Sequence, residues 1–78
     1  MPRAYAHTRH LDSGECVPGL RLLVYCDTAE LATMADLLAG PIVADSEPNR
    51  YGSRYQRVTR SFGRVDLEAY AMIEDSAP

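Results

Sequence analysis

The 78-residue chain has no lysine, two cysteines and asparagine only at Asn49. Its longest apolar runs, Leu22 to Cys26 among them, fall far short of the roughly 20 residues a membrane-spanning helix needs. Met1-Pro2-Arg3 leads into polar, histidine-bearing sequence instead of the apolar centre of a signal peptide, so an intracellular, cytoplasmic chain is expected. In such a reducing compartment a disulfide between Cys16 and Cys26 is not expected. A chain of this size buries only about 60% of the surface its unfolded form exposes, which leaves room for one domain (1–78) and one small core.

Motifs of catalysis are missing as well. There is no phosphate-binding glycine loop, no Gly-x-Ser-x-Gly elbow and no Cys-x-x-Cys pair. A Cys16–His10 nucleophile pair can be drawn, but closeness in sequence alone does not make a site. Asp66 and Glu68 alternate with apolar residues in the manner of surface pairing, not acid–base work. A non-enzyme without cofactor or small-molecule substrate is expected.

What is present is arginine. All eight basic side chains are Arg, beside abundant alanine, a bias that points to a GC-rich bacterial or phage source. The net charge of −3 conceals a segregation: residues 1–11 carry +2, 12–49 carry −6, 50–64 carry +5 and 65–78 carry −4. The average excludes a uniformly basic nucleic-acid binder, while the block 50–64 keeps a local one open.

Residues 1–19 read as an extended arm or edge strand, with turns at Asp12-Ser13-Gly14 and Pro18-Gly19. Leu20 to Cys26 is the clearest strand; Leu20, Leu22, Val24 and Cys26 share one face, and Leu23 and Tyr25 make the other apolar too. Asp27 and Glu30 have the spacing of a capping box, opening a helix over 28–39. Leu31, Met34, Ala35 and Leu38 form its apolar stripe, Gly40 is placed to end it and Pro41 stops it. Ile42-Val43-Ala44 suggests a short strand parallel to the first, and 45–53 a polar, mobile loop.

The last third has two readings. As a hairpin turning at Phe62-Gly63, strands 54–61 and 64–73 set Thr59 opposite Asp66, Arg57 opposite Glu68, Tyr55 opposite Tyr70 and Val58 against Leu67. As a helix, Tyr51, Tyr55, Val58, Phe62, Val65, Ala69 and Met72 form a heptad-like seam. Gly52, Gly63 and the β-branched Val58-Thr59 pair weigh against the seam. The fold expected is α+β: one helix on a three- or four-stranded mixed sheet in the order β-α-β-β-β.

The functional expectation is a small, phage- or mobile-element-encoded binding or regulatory protein. It would meet a host protein, or a second copy of itself, through Tyr55, Arg57, Tyr70 and Met72 on the hairpin face. Tyr, Met and Arg are the residue types that gather at interface centres. One alternative is nucleic-acid binding by Arg50, Tyr51, Arg54, Arg57, Arg60 and Arg64, where guanidinium forks hold phosphates and rings stack on bases. Against it, alternation sends Arg54 and Arg60 to one face and Arg57 to the other. A further alternative is a zinc-stabilised domain with His7, His10, Cys16 and Cys26 as ligands, at a spacing that matches no common zinc module.

Overall fold

Alternation of apolar and polar residues turns about half of this chain into strands. The computed structural model describes residues 2–73. Within them lie β1 (Arg3–His10), β2 (Cys16–Cys26), α1 (Thr28–Leu38), β3 (Val43–Ala44), β4 (Arg54–Phe62) and β5 (Val65–Ile73). The strands form one sheet in the order β1-β2-β5-β4-β3. Every neighbouring pair is antiparallel except β2 and β5, which run parallel from Leu20 opposite Val65 to Cys26 opposite Ala71. The α+β class holds, with five strands instead of three or four. The extra strand is the N-terminal arm, which pairs along its length with β2.

The helix forms for local reasons. Asp27 accepts from the Glu30 amide at 2.7 Å while the Glu30 carboxylate accepts from the Asp27 amide at 3.1 Å, completing the capping box. Leu31 and Ala35 are buried against Val58 of β4 and Ala69 and Ala71 of β5, with Val24, Cys26, Met34 and Leu38 packed around them. The alanines on β5 let the helix come close. The helix ends one residue earlier than expected, at Leu38, and the left-handed residue that closes it is Ala39 at φ 52°, not Gly40. The reason lies across the sheet: a Cβ on residue 40 would meet Val58 Cγ1 at 3.2 Å, so the glycine serves close packing instead of the cap.

Three further expectations are corrected. Pro18-Gly19 is no turn but part of β2. Gly19 sits at φ +127°, and a Cβ there would lie 2.0 Å from the Arg64 carbonyl oxygen, which also accepts from the Leu20 amide. Next, β3 is not beside the first strand. It pairs antiparallel with β4 at the far edge, through Val43–Arg57 and Ala44–Gln56, and only its direction matches β2. Finally, the C-terminal hairpin is real but turns at Gly63-Arg64, pairing Phe62 with Val65. Arg57 therefore faces Tyr70, Thr59 faces Glu68, Val58 faces Ala69 and Tyr55 faces Met72. A two-residue hairpin loop favours glycine at its first central position, where Gly63 adopts φ 60° and Phe62 would be strained.

The 45–53 loop is also better organised than its composition implies. The Asn49 side chain accepts from the amides of Tyr51 and Ser53, and Gly52 donates back to the Asn49 carbonyl. The acidic C-terminal stretch is described only as far as Ile73; Glu74 and Asp75 lie outside the described residues.

With so few side chains fully buried, the helix contact should dominate stability. Leu31→Ala should cost about 2–5 kcal/mol, enough to leave much of the chain unfolded at 37 °C when followed by urea titration. Ala39→Gly should raise stability by about 0.5–1 kcal/mol in the same titration, because it removes the Cβ from a left-handed backbone position. An unchanged or lower midpoint for Ala39→Gly would contradict that account of the cap.

Candidate functional site

The register sends alternate residues to opposite faces of the sheet. One face carries α1. The other bears Arg3, Tyr5 and His7 of β1, Arg21, Leu23 and Tyr25 of β2, Asp66, Glu68, Tyr70 and Met72 of β5, and Tyr55, Arg57 and Thr59 of β4. None of the described elements covers it.

Four of the chain's five tyrosines meet on this open face. Tyr5 and Tyr25 stand edge to face with centroids 5.9 Å apart, Tyr25 stacks on Tyr70 at 5.6 Å and an interplanar angle of 23°, and Tyr55 meets Tyr70 edge-on at 6.4 Å. They form a continuous aromatic row across β1, β2, β5 and β4. Tyr25 and Tyr70 are direct partners in the parallel register, which is why their rings stack. Tyr5 and Tyr25 are 46% and 40% exposed and Met72 49%, so the row presents apolar surface to solvent. Arg3, Tyr5, His7, Leu23 and Tyr25 line a shallow depression of about 380 Å³ at one end of it.

Charge on this face is largely cancelled. Arg9 Nε donates to Asp66 at 2.9 Å, Arg21 pairs with Glu68, and Arg57 pairs with Asp45 while its guanidinium lies 5.8 Å from the Tyr70 ring centre. The Ser61 hydroxyl donates to Asp66 at 2.7 Å, and the Tyr70 hydroxyl to Glu68 at 3.0 Å. The expected Arg57–Glu68 pair is thus replaced by Arg57–Asp45 and Arg21–Glu68, following the actual register. The Arg57 Nε–H has no acceptor, the one such buried side-chain nitrogen or oxygen among the described residues.

These contacts set the protonation behaviour. The Asp45 carboxyl is held below its ordinary value by the Tyr55 amide and then by Arg57, Asp66 by Ser61 and then Arg9, and Glu68 chiefly by Arg21. Burial, followed by the bond to Glu68, pushes the Tyr70 phenol up.

Of the sequence-derived partner residues, Tyr55, Arg57, Tyr70 and Met72 do share the open face. Tyr5 and Tyr25 were missed as members of the same row, because only the strand order brings them beside Tyr70. The arginine block disperses. Arg50 lies over the exposed Tyr51 ring in the β3–β4 turn, and Arg64 occupies the β4–β5 turn. Arg54 donates twice to the Asp45 carbonyl, and Arg60 donates to the Leu38 carbonyl and lies over Phe62. Arg50, Tyr51, Arg54, Arg60 and Arg64 therefore do not form one coherent face.

The metal candidates separate likewise. His10 and Cys16 are cross-strand partners with Nδ1 and Sγ 3.7 Å apart, so the drawn Cys–His proximity exists. His7 lies opposite Arg21, while Cys26 is at the far end of β2, its thiol bonded to the Tyr70 carbonyl and pushed up by burial. Two cysteines at opposite ends of one extended strand cannot bridge within a chain. Among the described residues no group of three His, Cys, Asp or Glu is placed to hold a metal ion, and no helix is long and apolar enough to cross a membrane.

Comparison with protein-family models, with curated proteins and with solved structures finds no match for this chain.

The depressed carboxylates have a defined consequence for stability. Each favours the folded state fully above its unfolded pKa of about 4, and loses that contribution as pH falls through the lower folded value. The urea midpoint should therefore drop between about pH 5 and pH 2, and Asp66→Asn should make the drop shallower. The raised Tyr70 phenol acts in the opposite sense, its contribution fading as pH rises above about 10. An Asp66→Asn profile parallel to wild type throughout the acid range would show that the Arg9–Asp66–Ser61 contact is immaterial to folding.

Proposed function

We propose that this chain is a non-enzymatic binding module that docks a protein partner on the open sheet face. The carrying observation is the row of Tyr5, Tyr25, Tyr70 and Tyr55 on a face that no described element covers. Tyrosine supplies large contact area at low conformational cost, and arginines already held by carboxylates can join an interface without leaving unpaired charge. The centre of contact is Tyr25, Tyr70 and Met72, with Tyr5, Tyr55 and Arg57 around it.

A protein suits this face better than a nucleic acid for two reasons. Tyr25 and Tyr70 stack on each other at 5.6 Å, too close for a base to enter between them. Three arginines of the face, Arg9, Arg21 and Arg57, are engaged by carboxylates, and Asp66, Glu68 and Asp45 would repel a phosphate chain.

The test is affinity capture from the source cell with wild type and with the Tyr70→Ala/Arg57→Ala double variant, each checked for a folded circular dichroism spectrum. A specific protein should be retained by wild type, persist after nuclease treatment and be lost by the variant. No single-stranded DNA or RNA should be retarded at about 50 mM salt, where phosphate contacts are strongest. A partner held equally by the double variant, or released by nuclease, would overturn the proposal.

A further inference from the structure

The face of the sheet that carries α1 is itself only half covered by the described elements. In register, its side chains form cross-strand rows. Ala4, Val24, Ala69 and Val58 make one, and Cys26, Ala71 and Gln56 the next. These two rows lie under α1, which packs on Val58, Ala69 and Ala71. Two more rows continue beyond the helix: Ala6, Leu22, Leu67 and Arg60, then Thr8, Leu20, Val65 and Phe62. Leu20 is 48% and Phe62 52% exposed. An eleven-residue helix reaches only about 16 Å, whereas the eleven-residue β2 runs roughly 36 Å. Centre to centre, the bare rows span about 14 Å across four strands and lie roughly 7 Å apart along them, a strip that one more helix of about 10 Å diameter would cover.

The outer side of α1 is unusual in the complementary sense. Leu37 is 80% exposed, and Ala29, Ala32 and Thr33 are exposed beside it. The helix carries two charges, Glu30 and Asp36, both acidic. The bare end of the sheet is bounded by Arg64 in the β4–β5 turn and by Arg60, whose guanidinium is already engaged by the Leu38 carbonyl and the Phe62 ring. Each protomer thus holds, side by side on one face, an acidic helix with an apolar outer surface and a basic-rimmed apolar slot the width of a helix.

We propose that two copies of this chain associate through these faces about a two-fold axis that lies between the layers and perpendicular to the strands. Each α1 then enters the slot of the other copy. Leu37 packs on Leu20, Leu22 and Phe62 of the second copy, and Asp36 approaches its Arg64. The result is two sheets with both helices between them, and the two tyrosine rows facing outward. Such a contact is isologous and closed, as a homodimer requires. It also gives a chain with a thin core the added stability that comes from binding only the folded form. The arrangement is independent of the tyrosine face, so either assignment can fail alone.

Sedimentation equilibrium over about 1–500 µM protein should show a monomer–dimer equilibrium with a Kd on the order of 1–100 µM, fitting a modest interface. Leu37→Glu and Phe62→Glu replace exposed side chains, so both should keep the wild-type circular dichroism spectrum. Each should nonetheless raise Kd by about tenfold or more. Tyr25→Ser, on the opposite face, should leave Kd within about twofold of wild type. A chain that stays monomeric over the whole series overturns the proposal. So does a dimer indifferent to both Leu37→Glu and Phe62→Glu, and so does one abolished by Tyr25→Ser, which would move self-association to the tyrosine face.

Discussion

The seating of Leu31 and Ala35 on Val58, Ala69 and Ala71 is the contact on which the rest of this structure depends. It is close because the sheet offers alanines at the centre of β5 and because Gly40 lets the chain leave the helix against Val58. It is also small. One short helix is asked to cover a five-stranded sheet, and both exposed apolar surfaces follow from that shortfall. Among the described residues, no layer lies over the tyrosine face, and the helix face is covered along only part of its strands. In a small two-layer domain, apolar surface left in this way is the ordinary substrate of association.

Electrostatics follow from topology more than from composition. Along the sequence the charges stand in blocks, basic over 50–64 and acidic on either side. Folding interleaves them. β5, with Asp66 and Glu68, lies between β2 and β4, and receives Arg9 and Arg21 from the first hairpin. Arg57 turns outward to Asp45, and Arg54 and Arg60 find backbone carbonyls on the helix side. A block that could suggest a phosphate-binding stripe becomes a set of separately occupied cations. Half-exposed pairs of this kind add little stability each. Their effect is to leave the aromatic row nearly neutral.

The elements set by neighbouring residues were legible in the sequence. The capping box, the stripe of Leu31, Met34, Ala35 and Leu38, and the alternation that makes β4 and β5 strands all appear there and in the structure. Pairings set at long range were not. The weak alternation of residues 3–10 leaves an arm and an edge strand both open, and only pairing with β2 makes them the edge strand; nothing in β2 or β5 announces that they run side by side in parallel. The hairpin register slipped by two residues because a shift of two leaves every side chain on its own face, so the hydrophobic pattern fits both versions equally. Only the demand for glycine at the first loop position separates them. The candidate site was accordingly half visible. Tyr55, Arg57, Tyr70 and Met72 come from one hairpin and could be grouped, whereas Tyr5 and Tyr25 come from another and could not.

The parallel β2–β5 seam has a consequence for the order in which the molecule assembles. On either side of it lie hairpins closed by short connections, β1–β2 through 11–15 and β4–β5 through Gly63-Arg64. The seam joins partners far apart in the chain, with Arg21 and Glu68 separated by 47 residues. Its closure entropy must be met before its hydrogen bonds count, so the hairpins form early and the seam late. Helix α1 rests mainly on β4 and β5. The sheet thus joins a helix-backed hairpin, β4 and β5, to a β1–β2 hairpin with less of the helix over it, across a single parallel seam that only the long-range closure of the chain can make.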